Sequence, residues 1–130
     1  MPEQIIHFGA FRLDLVNECL WSGNKRIRQT PKDFAVLSYL VTNHGRLVRK
    51  EEILHAVWSN TVVSEGSLKV CIRRIRRVLR DKPTAPRYIE TQHRRGYWFI
   101  GRVQRINSSG ALRRVSCYII LGFSMSGILL

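Results

Sequence analysis

Glu65-Gly66-Ser67-Leu68-Lys69-Val70-Cys71-Ile72-Arg73-Arg74-Ile75-Arg76-Arg77-Val78-Leu79-Arg80 carries two patterns at once. At 100° per residue, Leu68, Cys71, Ile72, Ile75, Val78 and Leu79 fall on one side, as in a helix with a core-facing stripe. Lys69, Val70, Arg73 and Arg77 fall opposite, with Arg76 and Arg80 toward one edge of the polar side and Arg74 toward the other. Ser64 is placed to cap the start, and Pro83 and Pro86 end the run. A helix is therefore predicted over 65–80, anchored by one face and heavily cationic on the other.

Two more helices are predicted before it. Thr30 is a good N-cap, Pro31 suits the first helical position, and Asp33 stands where a capping box needs an acid. Phe34, Leu37, Leu40 and Val41 share a face, and Asn43-His44-Gly45 stops the pattern, with Gly45 as the expected cap. The second helix runs from about Lys50 to Trp58. Glu51 and Glu52 sit in its first turn, where the helix dipole favours them, and Ile53, Leu54, Val57 and Trp58 form its stripe.

Short strands lie on both sides of this helical block. Ile5–Phe8, Phe11–Leu15, Cys19–Trp21 and Lys25–Arg28 are separated by turn signals at Asn17-Glu18 and Ser22-Gly23-Asn24, which predicts an antiparallel meander. After the third helix, Arg87–Thr91 and Tyr97–Ile100 flank the tip Gln92-His93-Arg94-Arg95-Gly96. This is a hairpin with a basic loop, and Gly96 is the residue expected to take a positive φ. The fold class is thus α+β: an N-terminal antiparallel sheet, three helices and a C-terminal β-hairpin. The domain is assigned to residues 1–103, a linker to 104–114 and a hydrophobic tail to 115–130.

The charge points to a polyanion. The 130 residues carry a net +13, a self-repulsion that a small domain tolerates when its partner is negative. Between Ser67 and Arg105 there are twelve basic residues against only Asp81 and Glu90, so this stretch holds +10 of the total. Ten of the twelve are Arg, whose planar fork matches phosphate and guanine better than the Lys ammonium does. Cys19, Cys71 and Cys117 are odd in number and far apart, and the four histidines are scattered. Neither a disulfide framework nor a zinc site is expected, and a reducing cytosol is the expected compartment. No cofactor is expected. Cys71 and the tryptophans Trp21, Trp58 and Trp98 read as packing residues.

The order of elements resembles the winged helix-turn-helix domain of the OmpR/PhoB type. Thr30-Pro31-Lys32-Asp33-Phe34 is similar to that family's opening of its first helix. Gly45-Arg46-Leu47-Val48, Glu51-Glu52-Ile53-Leu54 and Val57-Trp58 are similar to its second. Leu68 to Arg76 resembles its recognition helix, and Arg87-Tyr88-Ile89-Glu90-Thr91 with Arg95-Gly96-Tyr97 resembles its wing. The similarity covers residues 5–101. With strands predicted from residue 5, it is nearest to the receiver-less, ToxR/CadC-like members. The chain departs from the pattern at Arg49, where Ser or Thr usually caps the second helix. It departs again at Lys69, often an acid, at Cys71, often His, and at the wing tip.

The resemblance implies a bacterial transcription regulator that binds double-stranded DNA sequence-specifically. The third helix enters the major groove and the wing reaches the adjacent minor groove. Arg73 and Arg77 are then placed for guanine edges, and Val70 for a thymine methyl beside Lys69. Arg74, Arg76 and Arg80 are placed for phosphates, His93 for a phosphate near the tip, and Arg94 and Arg95 for a narrow minor groove. RNA polymerase and a second copy on direct-repeat sites are the further partners it implies. The alternative is a protein–protein adaptor on the same scaffold. No paired carboxylates, metal spacing or nucleophile–base set supports an enzyme. Val115 to Leu130 is uncharged. It reads as an inner-membrane anchor with Arg113 and Arg114 on the cytoplasmic side, as the end of a truncated product, or as a hydrophobic helix docked elsewhere.

Overall fold

The computed structural model describes residues 5–59, 63–106 and 112–113. Four short strands open the chain: β1 (Ile5–Phe8), β2 (Phe11–Asp14), β3 (Cys19–Ser22) and β4 (Lys25–Ile27). Each pairs antiparallel with the next, in the meander expected from the turn residues. Alternation fixes which side faces the core. Ile6, Phe8, Phe11, Leu13 and Leu20 are buried, and in β1 and β2 they alternate with the only partly buried Ile5, His7, Arg12 and Asp14.

Helix α1 (Pro31–Thr42) starts at Thr30, whose Oγ1 accepts the Asp33 N–H at 3.1 Å. That is one half of a capping box. The Asp33 carboxylate takes a different partner, described below. Asn43 caps the far end, and Gly45, at φ +84°, stands two residues beyond it, donating its N–H to the Phe99 carbonyl. Helix α2 (Lys50–Val57) has Arg49 at its N-cap with no side-chain bond, which matches the weak cap expected there. Helix α3 (Glu65–Leu79) starts at Ser64, whose side chain makes no capping bond either.

Three strands were not legible as such in the sequence. Leu47–Arg49 forms β5, which pairs with the second strand of the hairpin, so the wing belongs to a three-stranded sheet in the order β5-β7-β6. Here β6 is Ile89–Gln92 and β7 is Gly96–Phe99. β8 (Val103–Ile106) pairs antiparallel with β1 along its whole length, and β9 (Leu112–Arg113) pairs with β8. The sheet of the first four strands therefore has six, in the order β4-β3-β2-β1-β8-β9. Residues 104–106 and 112–113, expected in a linker, are sheet residues.

The core lies between the two sheets and the helices. Phe8 and Phe99 meet edge-on with ring centroids 5.2 Å apart, and Tyr88 meets Phe8 at 5.6 Å and Phe11 at 5.8 Å. This aromatic cluster locks the N-terminal sheet to the base of the wing. Val36, Leu37, Leu40 and Val41 of α1 join the buried stripe of α3 in the same cluster. Trp58 is buried as expected, while Trp21 and Trp98 are only half-buried. Among the described residues no helix is long and apolar enough to cross a membrane. The tail at 115–130 lies outside the described residues.

Candidate nucleic-acid interface

Helix α3 is fixed to the core by Leu68, Cys71, Ile72, Ile75 and Leu79, all buried. Burial raises the Cys71 thiol to about 11, so it stays protonated and acts as a small apolar residue. The opposite face carries Lys69, Val70, Arg73 and Arg77, all exposed. None of the three cations takes an ion pair or hydrogen bond among the described residues. Val70 is 38% exposed, one of few large apolar side chains left outside the core. The strip expected to read bases is therefore present and unoccupied by internal contacts.

The three flanking arginines do not share one fate. Arg74 turns back to helix α1. Its Nε and Nη2 donate to Asp33 Oδ2 and Oδ1 at 2.7 and 2.9 Å, a bidentate pair whose carboxylate side chain is only 5% exposed. Burial acts to raise the Asp33 carboxyl, but hydrogen bonds from Arg74, Cys71 and Thr30 and the guanidinium charge outweigh it and hold the carboxyl below its ordinary range. Arg76 turns to the wing. Its Nη2 donates to the Ile89 carbonyl at 2.9 Å and to Thr91 Oγ1 at 2.7 Å. Each of the two flanking arginines expected at phosphates thus already has internal acceptors, which position on a helical wheel does not reveal.

Arg80 leaves the helix. It sits past its end at φ 57°, in the left-handed region, and its N–H bonds the Arg77 carbonyl while the Asp81 N–H bonds the Arg76 carbonyl at 2.8 Å. This is the Schellman pattern with Arg where Gly is usual. Its side chain is exposed.

At the wing, Arg95 N–H donates to the Gln92 carbonyl at 2.9 Å and closes a tight turn. The positive φ there belongs to Arg94, at 66°, and not to Gly96. Gly96 is needed for another reason. It pairs with Arg49 of β5 and Gln92 of β6, and a Cβ there would collide with the Val48 carbonyl oxygen and crowd Arg49 Cα. His93, Arg94 and Arg95 are exposed.

Lys50 brings tip and helix together. Its backbone N–H donates to the Arg95 carbonyl at 3.1 Å, and its Nζ pairs with Glu65 Oε2 at 2.9 Å in the first turn of α3. Arg49, exposed and opposite Gly96 in the register, adds a cation between wing and α2. Sequence reasoning passed over it, although the missing Ser or Thr cap marked the position. The start of α2 is held by Glu52, which accepts from Tyr39 Oη at 2.5 Å and from Arg46 Nη2 at 2.5 Å. Those bonds, Arg46 first, bring the Glu52 carboxyl down to about 2.

The family model for the C-terminal domain of transcriptional regulatory proteins matches residues 24–99. The chain belongs to that family. It is similar to the transcriptional regulator HilA of Salmonella typhi, with 34% identity over 118 residues, 91% of this chain and 21% of HilA. The RstA DNA-binding domain of Klebsiella pneumoniae, solved in complex with the RstA box, superposes with a TM-score of 0.65 at 30% identity, covering 75% of this chain and 97% of that domain. The response regulator DrrB of Thermotoga maritima, an OmpR/PhoB homologue, gives 0.68 at 34% identity, covering 75% of this chain and 44% of DrrB. The chain thus spans about a fifth of HilA and less than half of DrrB. The winged-helix fold and DNA-binding transcription regulation follow from this membership.

Proposed function

We propose that α3 docks in the major groove of double-stranded DNA, and that the wing tip enters the adjacent minor groove of the same site. The observation that carries this is the strip of Lys69, Val70, Arg73 and Arg77: exposed, cationic and free of internal partners, beside a basic wing tip that shares Lys50 with the start of the helix. Arg73 and Arg77 donate to guanine edges, Val70 meets a thymine methyl, and Lys69 lies alongside. Arg80 and Arg49 hold backbone phosphates, with His93 near the tip. Arg94 and Arg95 enter the narrow groove. The finer partners belong to the same proposal: RNA polymerase, a second copy on a direct repeat, and a place of work in the bacterial cytoplasm.

A fluorescence-polarisation titration of the full chain tests it. The probe is a labelled duplex selected by the chain from a randomised library, measured at several salt concentrations against competitor DNA. Affinity should fall roughly a thousandfold between 50 and 200 mM salt. Arg73→Ala and Arg77→Ala should each cost about 1–3 kcal/mol and relax sequence preference. Binding that ignores salt, or that treats selected and competitor duplexes alike, refutes the proposal.

A further inference from the structure

We infer that Arg76 is a positioning residue: it ties the wing to the recognition helix and sets where the tip sits, without touching DNA. The inference rests on the proposed wing contact. Arg76 lies half-buried on α3, and its Nη2 reaches both the Ile89 carbonyl and Thr91 Oγ1 on β6. Thr91 is next to Gln92, whose carbonyl closes the tip turn, so the anchor lies one residue from the part that enters the groove.

A second anchor works from the other side of the helix end. The Asp81 N–H bonds the Arg76 carbonyl, and the Asp81 carboxylate accepts the N–H groups of Arg87 at 2.6 Å, Tyr88 at 3.2 Å and Ile89 at 2.9 Å. Arg76 thus meets the hairpin twice, through its own side chain and through Asp81. The segment between helix and wing is drawn closed at both ends.

Stability is a poor explanation for this arrangement. The Arg76 Nε is buried with no partner, and burying an incompletely satisfied guanidinium costs free energy. An apolar residue of similar size would hold the same space more cheaply. What the guanidinium adds is direction: two planar donor bonds to fixed points on β6 define the tilt of the hairpin relative to α3. Arg74, two residues earlier, performs the matching task toward α1. The cationic helix therefore spends two arginines on its own frame.

A double-mutant cycle tests this, using the full chain and the selected duplex. Arg76→Met should weaken binding about tenfold in the wild-type background and less than about twofold when Arg94→Ala and Arg95→Ala are already present, because a misplaced tip without its arginines has nothing left to lose. Thr91→Val removes one acceptor while keeping the strand. It should weaken binding about threefold with the same non-additivity, and it carries the test if Arg76→Met fails to fold. The salt slope of Arg76→Met should drop to that of the wing variant. Additive losses for Arg76→Met, or for Thr91→Val where Arg76→Met does not fold, overturn the inference. So does a salt slope that drops beyond that of the wing variant, since Arg76 would then contact DNA directly. If Arg94→Ala with Arg95→Ala leaves affinity unchanged, the wing contact itself fails and the inference falls with it.

Discussion

Replacing Arg74 by Ala separates a cation that holds the fold from one that holds DNA. Arg74 gives Asp33 two charge-assisted hydrogen bonds at 2.7 and 2.9 Å. Such bonds contribute about 1.5–3 kcal/mol each when well shielded. The Arg74 side chain is 44% exposed, so solvent screens part of the attraction, while Asp33 is 5% exposed and would be left without its cation. The expected loss is about 2–3 kcal/mol, or roughly 10–20 °C in Tm for a domain of this size. Thermal unfolding followed by circular dichroism reads it. Asp33→Ala with Arg74→Ala should recover part of the loss, because removing both partners also removes the orphaned carboxylate. In a titration below the Tm of the variant, the slope of log affinity against log salt should stay at the wild-type value. If Arg74 neutralised a phosphate, that slope would shrink by about 0.9. An unchanged Tm together with a smaller slope refutes the reasoning.

Arg80→Gly removes a non-glycine residue from the left-handed region and should raise stability by about 1 kcal/mol, read as a higher Tm, while binding weakens through the lost charge. Gly96→Ala should do the reverse: its Cβ meets backbone of β5, which has nowhere to go, so a loss of about 2–4 kcal/mol and a displaced wing are expected in chemical denaturation. Acid titration should expose the depressed carboxylates. Asp33 and Glu52 are held below their ordinary values, so each stabilises the fold above its unfolded pKa and loses that contribution as pH falls through the folded value, which for Glu52 is about 2. Stability should therefore drop between about pH 4.5 and 2, and Glu52→Gln should flatten that slope in urea melts run at stepped pH.

Most of the frame was legible because its signals are local. Thr30-Pro31 starts a helix wherever it is followed by an apolar stripe, and the turns at Asn17 and Gly23 set a meander whose alternation decides its own inner face. The missing strands lacked such signals. β5 is three residues long and exists because Val48 and Leu47 find Tyr97 and Trp98, some fifty residues away. β8 reads Val103-Gln104-Arg105-Ile106, too short and too polar to announce itself, and is a strand because β1 offers it an open edge. Gly96 was recognised as a special position for the wrong reason: the sequence suggests a turn glycine, and the constraint is the close approach of a neighbouring strand.

The site was legible as a face and not as a set of contacts. Helical periodicity states the direction of a side chain, and it separated Lys69, Val70, Arg73 and Arg77 from the core stripe correctly as exposed positions. It says nothing about an acceptor waiting in that direction. Asp33 precedes Arg74 by 41 residues, and the acceptors of Arg76 lie 13 and 15 residues beyond it, across a loop. An arginine is also long enough to bend toward either. The number of cations on such a helix is therefore an upper bound on those available to DNA, and the surplus measures how much of the charge orients the reading surface. In this chain Arg74 aligns α3 with α1 and Arg76 aligns the wing with α3, so substitutions at these two should disturb the angle of docking, while Arg73 and Arg77 should disturb what is read.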